Sequence, residues 1–85
     1  MKTFNYTIKD EVGIHARPAG MLAKKAKEFK SEILIEKNGK AVNATKLMML
    51  MSLGIKCGET ITVSVTGEDE EAAAAAMEAF FKENL

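Results

Sequence analysis

Between Thr60 and Thr66 polar and apolar residues alternate without a break, which puts Ile61, Val63 and Val65 on one side. That is the period of a strand with one buried and one solvated face. Such a strand belongs in an antiparallel sheet covered on a single face, and amphipathic helices are the usual cover. The rest of the chain supplies both kinds of element. Phe4, Tyr6 and Ile8 repeat the two-residue period near the start. Residues 32–37 read as a second strand, Asn38-Gly39 as a type I′ turn, and Lys40 to Asn43 as a short returning strand. Ala19, Leu22, Ala23, Ala26 and Phe29 fall at helical spacing and predict a helix over about residues 16–28. Pro18 sits in its first turn, where a missing N–H costs little. A short helix is expected over residues 46–53, stopped by Gly54. Asp69 reads as the N-cap of a last helix whose inner face carries Ala73, Met77 and Phe80. Glu70 and Glu71 in its first turn and Lys82 near its end suit the helix dipole. The order β-α-β-β-α-β-α contains no internal repeat and no linker, so residues 1–85 are read as one α+β domain.

A chain of 85 residues has room for one core only. It buries about 60–65% of its unfolded surface, which leaves little space for an enclosed substrate pocket and moves any chemistry to the surface. Lys and Arg number 12 and Asp and Glu number 12. That balance argues against bulk electrostatic binding of nucleic acid or an anionic membrane, while permitting a local basic patch. Cys57 and His15 are single, so neither a disulfide framework nor a conventional zinc site is available, and no metal or cofactor is assigned. Cys57, between Lys56 and Gly58, reads as a turn residue without chemistry. The lone thiol, the absence of a signal-peptide pattern and apolar runs too short to span a bilayer point to a cytoplasmic protein that begins at Met1.

The chemistry is concentrated in Gly13-Ile14-His15-Ala16-Arg17-Pro18-Ala19. Gly13 permits a tight bend out of the first strand. His15 precedes the expected helix start, where backbone N–H groups attract anions, phosphate in particular. The same partial positive charge disfavours imidazolium, leaving a neutral imidazole with a lone pair able to attack phosphorus. Arg17 stands two residues after His15, in the first turn, ready to pair with phosphoryl oxygens. A histidine in this position can also simply cap the helix or pack in a loop, and these physical considerations alone leave both readings open.

The segment resembles the active-site signature of the HPr family, the histidine-containing phosphocarriers of the bacterial phosphotransferase system. Asn38-Gly39-Lys40, Met51-Ser52-Leu53-Gly54-Ile55 and Gly67-Glu68-Asp69-Glu70 are similar to that family as well, and the likeness runs through essentially the whole chain. The resemblance implies an open-faced β-sandwich, a four-stranded antiparallel sheet with three helices on one face. It also implies that His15 takes a phosphoryl group on Nδ1 from enzyme I, derived from phosphoenolpyruvate, and passes it to enzyme IIA proteins of sugar permeases. Arg17 inherits the phosphate-stabilising role, and the protein becomes a stoichiometric carrier and not an enzyme.

A carrier needs one surface for several partners. Leu47-Met48-Met49-Leu50-Met51 gives the second helix apolar residues on every side, more than one layer can bury. Leu50 and Leu53 are assigned to the core, and Leu47, Met48 and Met51 to an exposed docking patch, for which flexible methionine is well suited. Arg17, Gly20, Met21, Lys24 and Lys27 share a face of the first helix and extend that patch toward acidic partners. Gly20 would let a partner approach closely.

One position departs from the family. In many HPr proteins a regulatory serine caps the second helix where Lys46 stands here, and lysine neither accepts that phosphate nor caps well. Asn43 or Thr45 is the expected substitute cap, with the helix starting slightly earlier. Thr45 and Ser52 are the hydroxyls near the lost site. The protein is expected to be a monomer. Two alternatives stay open on the sequence: a paralogue serving a nitrogen-related or other regulatory phosphorelay, and a small binding module, although the five aromatics form no RNA-binding motif.

Overall fold

The computed structural model of the chain describes residues 1–14 and 16–85. Its elements run β1 (Lys2–Thr7), α1 (Ala16–Ala26), β2 (Glu32–Lys37), β3 (Lys40–Asn43), α2 (Leu47–Ser52), β4 (Thr60–Thr66) and α3 (Glu70–Asn84). The strands form one antiparallel sheet in the order β1-β4-β2-β3, with the three helices as its cover, an open-faced β-sandwich. β4 and β2 are the inner strands. β4 pairs Phe4 with Val63 on one side and Ile35 with the same Val63 on the other. Its inward residues Ile61, Val63 and Val65 are wholly buried, as their alternation requires. The β2–β3 turn is the type I′ turn read from Asn38-Gly39, both residues having positive φ (51° and 83°).

The helices bury the faces expected of them, with additions. Ala19, Leu22, Ala23 and Ala26 of α1 meet the core together with Pro18, and Phe29 packs half-buried beyond the helix. On α3, Ala73, Met77 and Phe80 are buried, and so is Phe81, the largest fully buried side chain. Phe81 packs against Phe4, Tyr6 and Phe80 at centroid separations of 6.1, 5.5 and 6.1 Å. Three boundaries differ from expectation. α1 ends at Ala26, and its chain leaves through a tighter turn in which Glu28 and Phe29 donate to the Lys25 and Ala26 carbonyls. β1 ends at Thr7, although Ile8 is buried just beyond it. α2 starts at Leu47, later than a cap at Asn43 or Thr45 would allow. Asn43 Oδ1 instead accepts the N–H (2.9 Å) and hydroxyl (2.7 Å) of Thr45, a closed local turn that occupies both candidate caps. Lys46 therefore stands at the N-cap with no side-chain hydrogen bond to the helix.

Asp69 does occupy the N-cap of α3, but its carboxylate points away from its own helix. It accepts the backbone N–H groups of Lys30 and Ser31 at 2.9 Å each, and the Ser31 hydroxyl. This ties the exit of α1 to the entrance of α3. Among the described residues no helix is long and apolar enough to cross a membrane.

Candidate functional site

His15 lies outside the described residues, so the site is built from what flanks it. On its N-terminal side Gly13 adopts φ 78°, a left-handed conformation that side chains resist. A second constraint acts there: a Cβ on Gly13 would fall on the Ile55 carbonyl oxygen and 2.7 Å from Lys56 Cα. Ile14 is buried, and its N–H donates to that Ile55 carbonyl at 3.0 Å. The backbone at residues 13–14 is thus seated on the loop that follows α2.

On the C-terminal side α1 begins at Ala16 and carries no acidic residue in its first turn. The N–H groups of Ala16 and Arg17 in its first turn have no carbonyl partner within the helix, and Pro18 has no N–H to satisfy. Arg17 is exposed, and none of the carboxylates among the described residues forms an ion pair with it. It lines an open cleft of about 260 Å³ with Asp10, Pro18, Met21 and Asn84. The backbone oxygen of Leu85 accepts the N–H groups of Lys9 (2.6 Å) and Asp10 (2.8 Å). A free guanidinium beside an unneutralised helix start can hold an anionic group such as a phosphoryl.

The residues assigned to docking on the sequence lie on α1, just beyond it, and on α2. Met21 is exposed, as are Lys24 and Lys27, and Gly20 is half-buried. Lys27 stands just past the end of α1, on the tighter turn. On α2, Leu50 and Leu53 are buried, while Met48 is 76% exposed and Leu47 and Met51 are each 39% exposed. Met49, not assigned on the sequence, is exposed as well at 47%. α1 and α2 pack on one another, which brings the two exposed sets onto neighbouring helices. Cys57 is exposed in a turn, its Sγ 3.7 Å from the Lys9 carbonyl oxygen.

Residues 2–83 match the family model described as the PTS HPr component phosphorylation site. The phosphocarrier protein HPr of Mycoplasma genitalium is 48% identical over 85 residues, covering 99% of this chain and 97% of that protein. A solved Mycoplasma histidine-containing phosphocarrier protein superposes with a TM-score of 0.93 at 39% identity, covering 96% of this chain and 93% of that one. An HPr structure from Thermoanaerobacter tengcongensis gives 0.88 at 42% identity over 100% of both chains. HPr of the same organism has also been solved as a dimer, with a TM-score of 0.77 at 40% identity over 98% and 95% of the two chains.

Proposed function

The chain belongs to the HPr family of phosphotransferase-system phosphocarriers, and from that premise we propose that His15 is the acceptor, receiving the group on Nδ1 from enzyme I and giving it up to enzyme IIA proteins. The protein is a phosphocarrier of that system, and the regulatory-relay and binding-module alternatives are not favoured. The observation that carries the residue assignment is local. The only histidine of the sequence immediately precedes a helix whose first turn holds Arg17 and no carboxylate. The imidazole nitrogen supplies the electron pair for the new N–P bond, and the donor's bond to phosphorus breaks. The N–P bond is in turn broken when an acceptor nucleophile attacks, returning His15 unchanged. Arg17 and the opening N–H groups of α1 stabilise the equatorial oxygens in both directions. The group remains at the surface throughout, and the carrier is consumed and regenerated in each cycle.

Leu47, Met48 and Met51, with Gly20, Met21, Lys24 and Lys27, form the face that meets both partners in turn. Exposed methionines on α2 support this reading, since isolated apolar side chains are ordinary but a contiguous set on one short helix marks a contact surface. The carrier acts in the cytoplasm as a monomer. The serine-type regulatory site at the second helix is absent, because Lys46 holds the cap position and cannot accept that phosphate. Thr45 Oγ1 bonds to Asn43, and Ser52 Oγ donates to the Met49 carbonyl at 2.6 Å. Mixing the protein with enzyme I and phosphoenolpyruvate tests the assignment by intact mass. One acid-labile phosphoryl group should appear and be discharged when an enzyme IIA is added. A mass that stays unphosphorylated would contradict it.

A further inference from the structure

Lys37 ends β2, remote in sequence from residues 13–17, and its neighbours Glu36 and Asn38 do not single it out. In the fold its ammonium donates to the carbonyls of Leu53 (3.1 Å) and Gly54 (2.9 Å) and lies 2.9 Å from Glu59 Oε1. Those partners use every proton the group has. The side chain is only 15% exposed, so this is not a solvated rim lysine. α2 has no basic residue in its last turn, and Lys37 supplies from another element the cation that a helix C-terminus favours.

The far end of the same loop is fastened through Glu59. Its Oε1 also accepts the Lys56 N–H at 2.7 Å. The Lys37 hydrogen bond, then that N–H, hold the Glu59 carboxyl below the usual range. Ile8 and the loop exchange backbone bonds, Ile8 N–H to Glu59 (3.0 Å) and Gly58 N–H to Ile8 (2.8 Å). Between these ties lies Ile55, whose carbonyl takes the Ile14 N–H and leaves no room for a side chain on Gly13. One half-buried lysine therefore holds both the end of the docking helix and the platform on which residue 14 is seated.

We propose that Lys37 is a positioning residue for phosphoryl transfer, fixing the backbone before the acceptor relative to the α2 docking surface. The proposal rests on the reading of His15 as acceptor, and Lys37 touches no reacting atom. Transfer between two proteins requires the partner to be docked and the acceptor in line at once. A misplacement near 1 Å costs up to about 100-fold in rate. Lys37 is bonded at the C-terminal end of α2, whereas Met48 lies near its start, so loosening the loop need not prevent docking.

The test compares Lys37→Met, Lys37→Arg and wild type in phosphorylation by enzyme I and phosphoenolpyruvate, with amide exchange measured by NMR. Lys37→Met should lower kcat about tenfold while KM for the carrier moves less than about threefold. Lys37→Arg, which keeps the charge and the donors, should return kcat to within about threefold. In Lys37→Met the Ile14 amide should exchange at least about tenfold faster relative to the Val63 amide in β4. If Lys37→Met does not fold, Glu59→Gln carries the same readouts at reduced size. A kcat within twofold of wild type, or a loss of protection shared equally by Ile14 and Val63, overturns the proposal. Failure of wild type to be labelled overturns the acceptor reading instead, and the Ile14 amide then still decides whether Lys37 holds the loop.

Discussion

Gly13 and Arg17 bracket His15, the proposed acceptor, and they were legible in the sequence to different depths. That Gly13 bends the chain follows from its place at the end of an alternating run. That it must also lack a side chain because Ile55 lies against it does not, since the contact joins residues far apart in the chain. Arg17 was visible through its spacing from His15, and its freedom from any described carboxylate adds that its charge is available to the phosphoryl group. Arg17→Ala should slow transfer by roughly 10²–10³, the loss usual for one electrostatic donor. Steady-state assay of enzyme I-dependent transfer checks this. A rate within twofold of wild type would mean that the helix amides suffice. Lys37 and Glu59 were missed altogether, because a lysine at a strand end has the sequence appearance of any solvated lysine until its tertiary partners are known.

At the scale of the element, α2 was read correctly in which residues it buries and wrongly in how it begins. Leu50 and Leu53 went to the core because helical spacing places them on one side. The cap was misread because Asn43 and Thr45 are good capping residues that here satisfy each other. Met48→Asp should weaken transfer both from enzyme I and to enzyme IIA, with little change in Tm. A fall of many degrees would show that Met48 is structural, since a buried charge is costly. Lys46→Ser should add the missing cap and raise stability by about 1 kcal/mol, measured by denaturant unfolding. It should also create a substrate for the kinase that modifies serine-bearing family members, whereas wild type takes no acid-stable phosphate. A phosphate adds about −2 charges beside the docking patch, which would repel acidic partners. Stoichiometric phosphate on Thr45 or Ser52 of wild type, found by phosphopeptide mapping, would refute this account of regulation.

Across the whole molecule, alternation and helical spacing carried the architecture, because a sheet covered on one face needs little beyond one-sided strands and one-sided helices. The aromatic centre was less legible: adjacent Phe80 and Phe81 are both buried, which a simple helical stripe does not allow, and Phe81 fills the space under β1. The closure between α1 and α3 is electrostatic. The Ser31 hydroxyl, followed by the Lys30 N–H, holds the Asp69 carboxyl below its ordinary value. Its folded value being depressed, its contribution is complete above the unfolded value of about 3.9 and is lost as pH falls through the lower folded value. Tm should therefore drop on acidification below about pH 4, and Asp69→Asn should lower Tm at neutral pH while flattening that drop. An unchanged acid profile in Asp69→Asn would remove Asp69 from the explanation. The most direct test of the central claim is the site of the label. After incubation with enzyme I and phosphoenolpyruvate, wild type should carry one acid-labile phosphate on His15, and His15→Ala should carry none while keeping its fold by circular dichroism. Undiminished labelling of a folded His15→Ala protein would contradict the account.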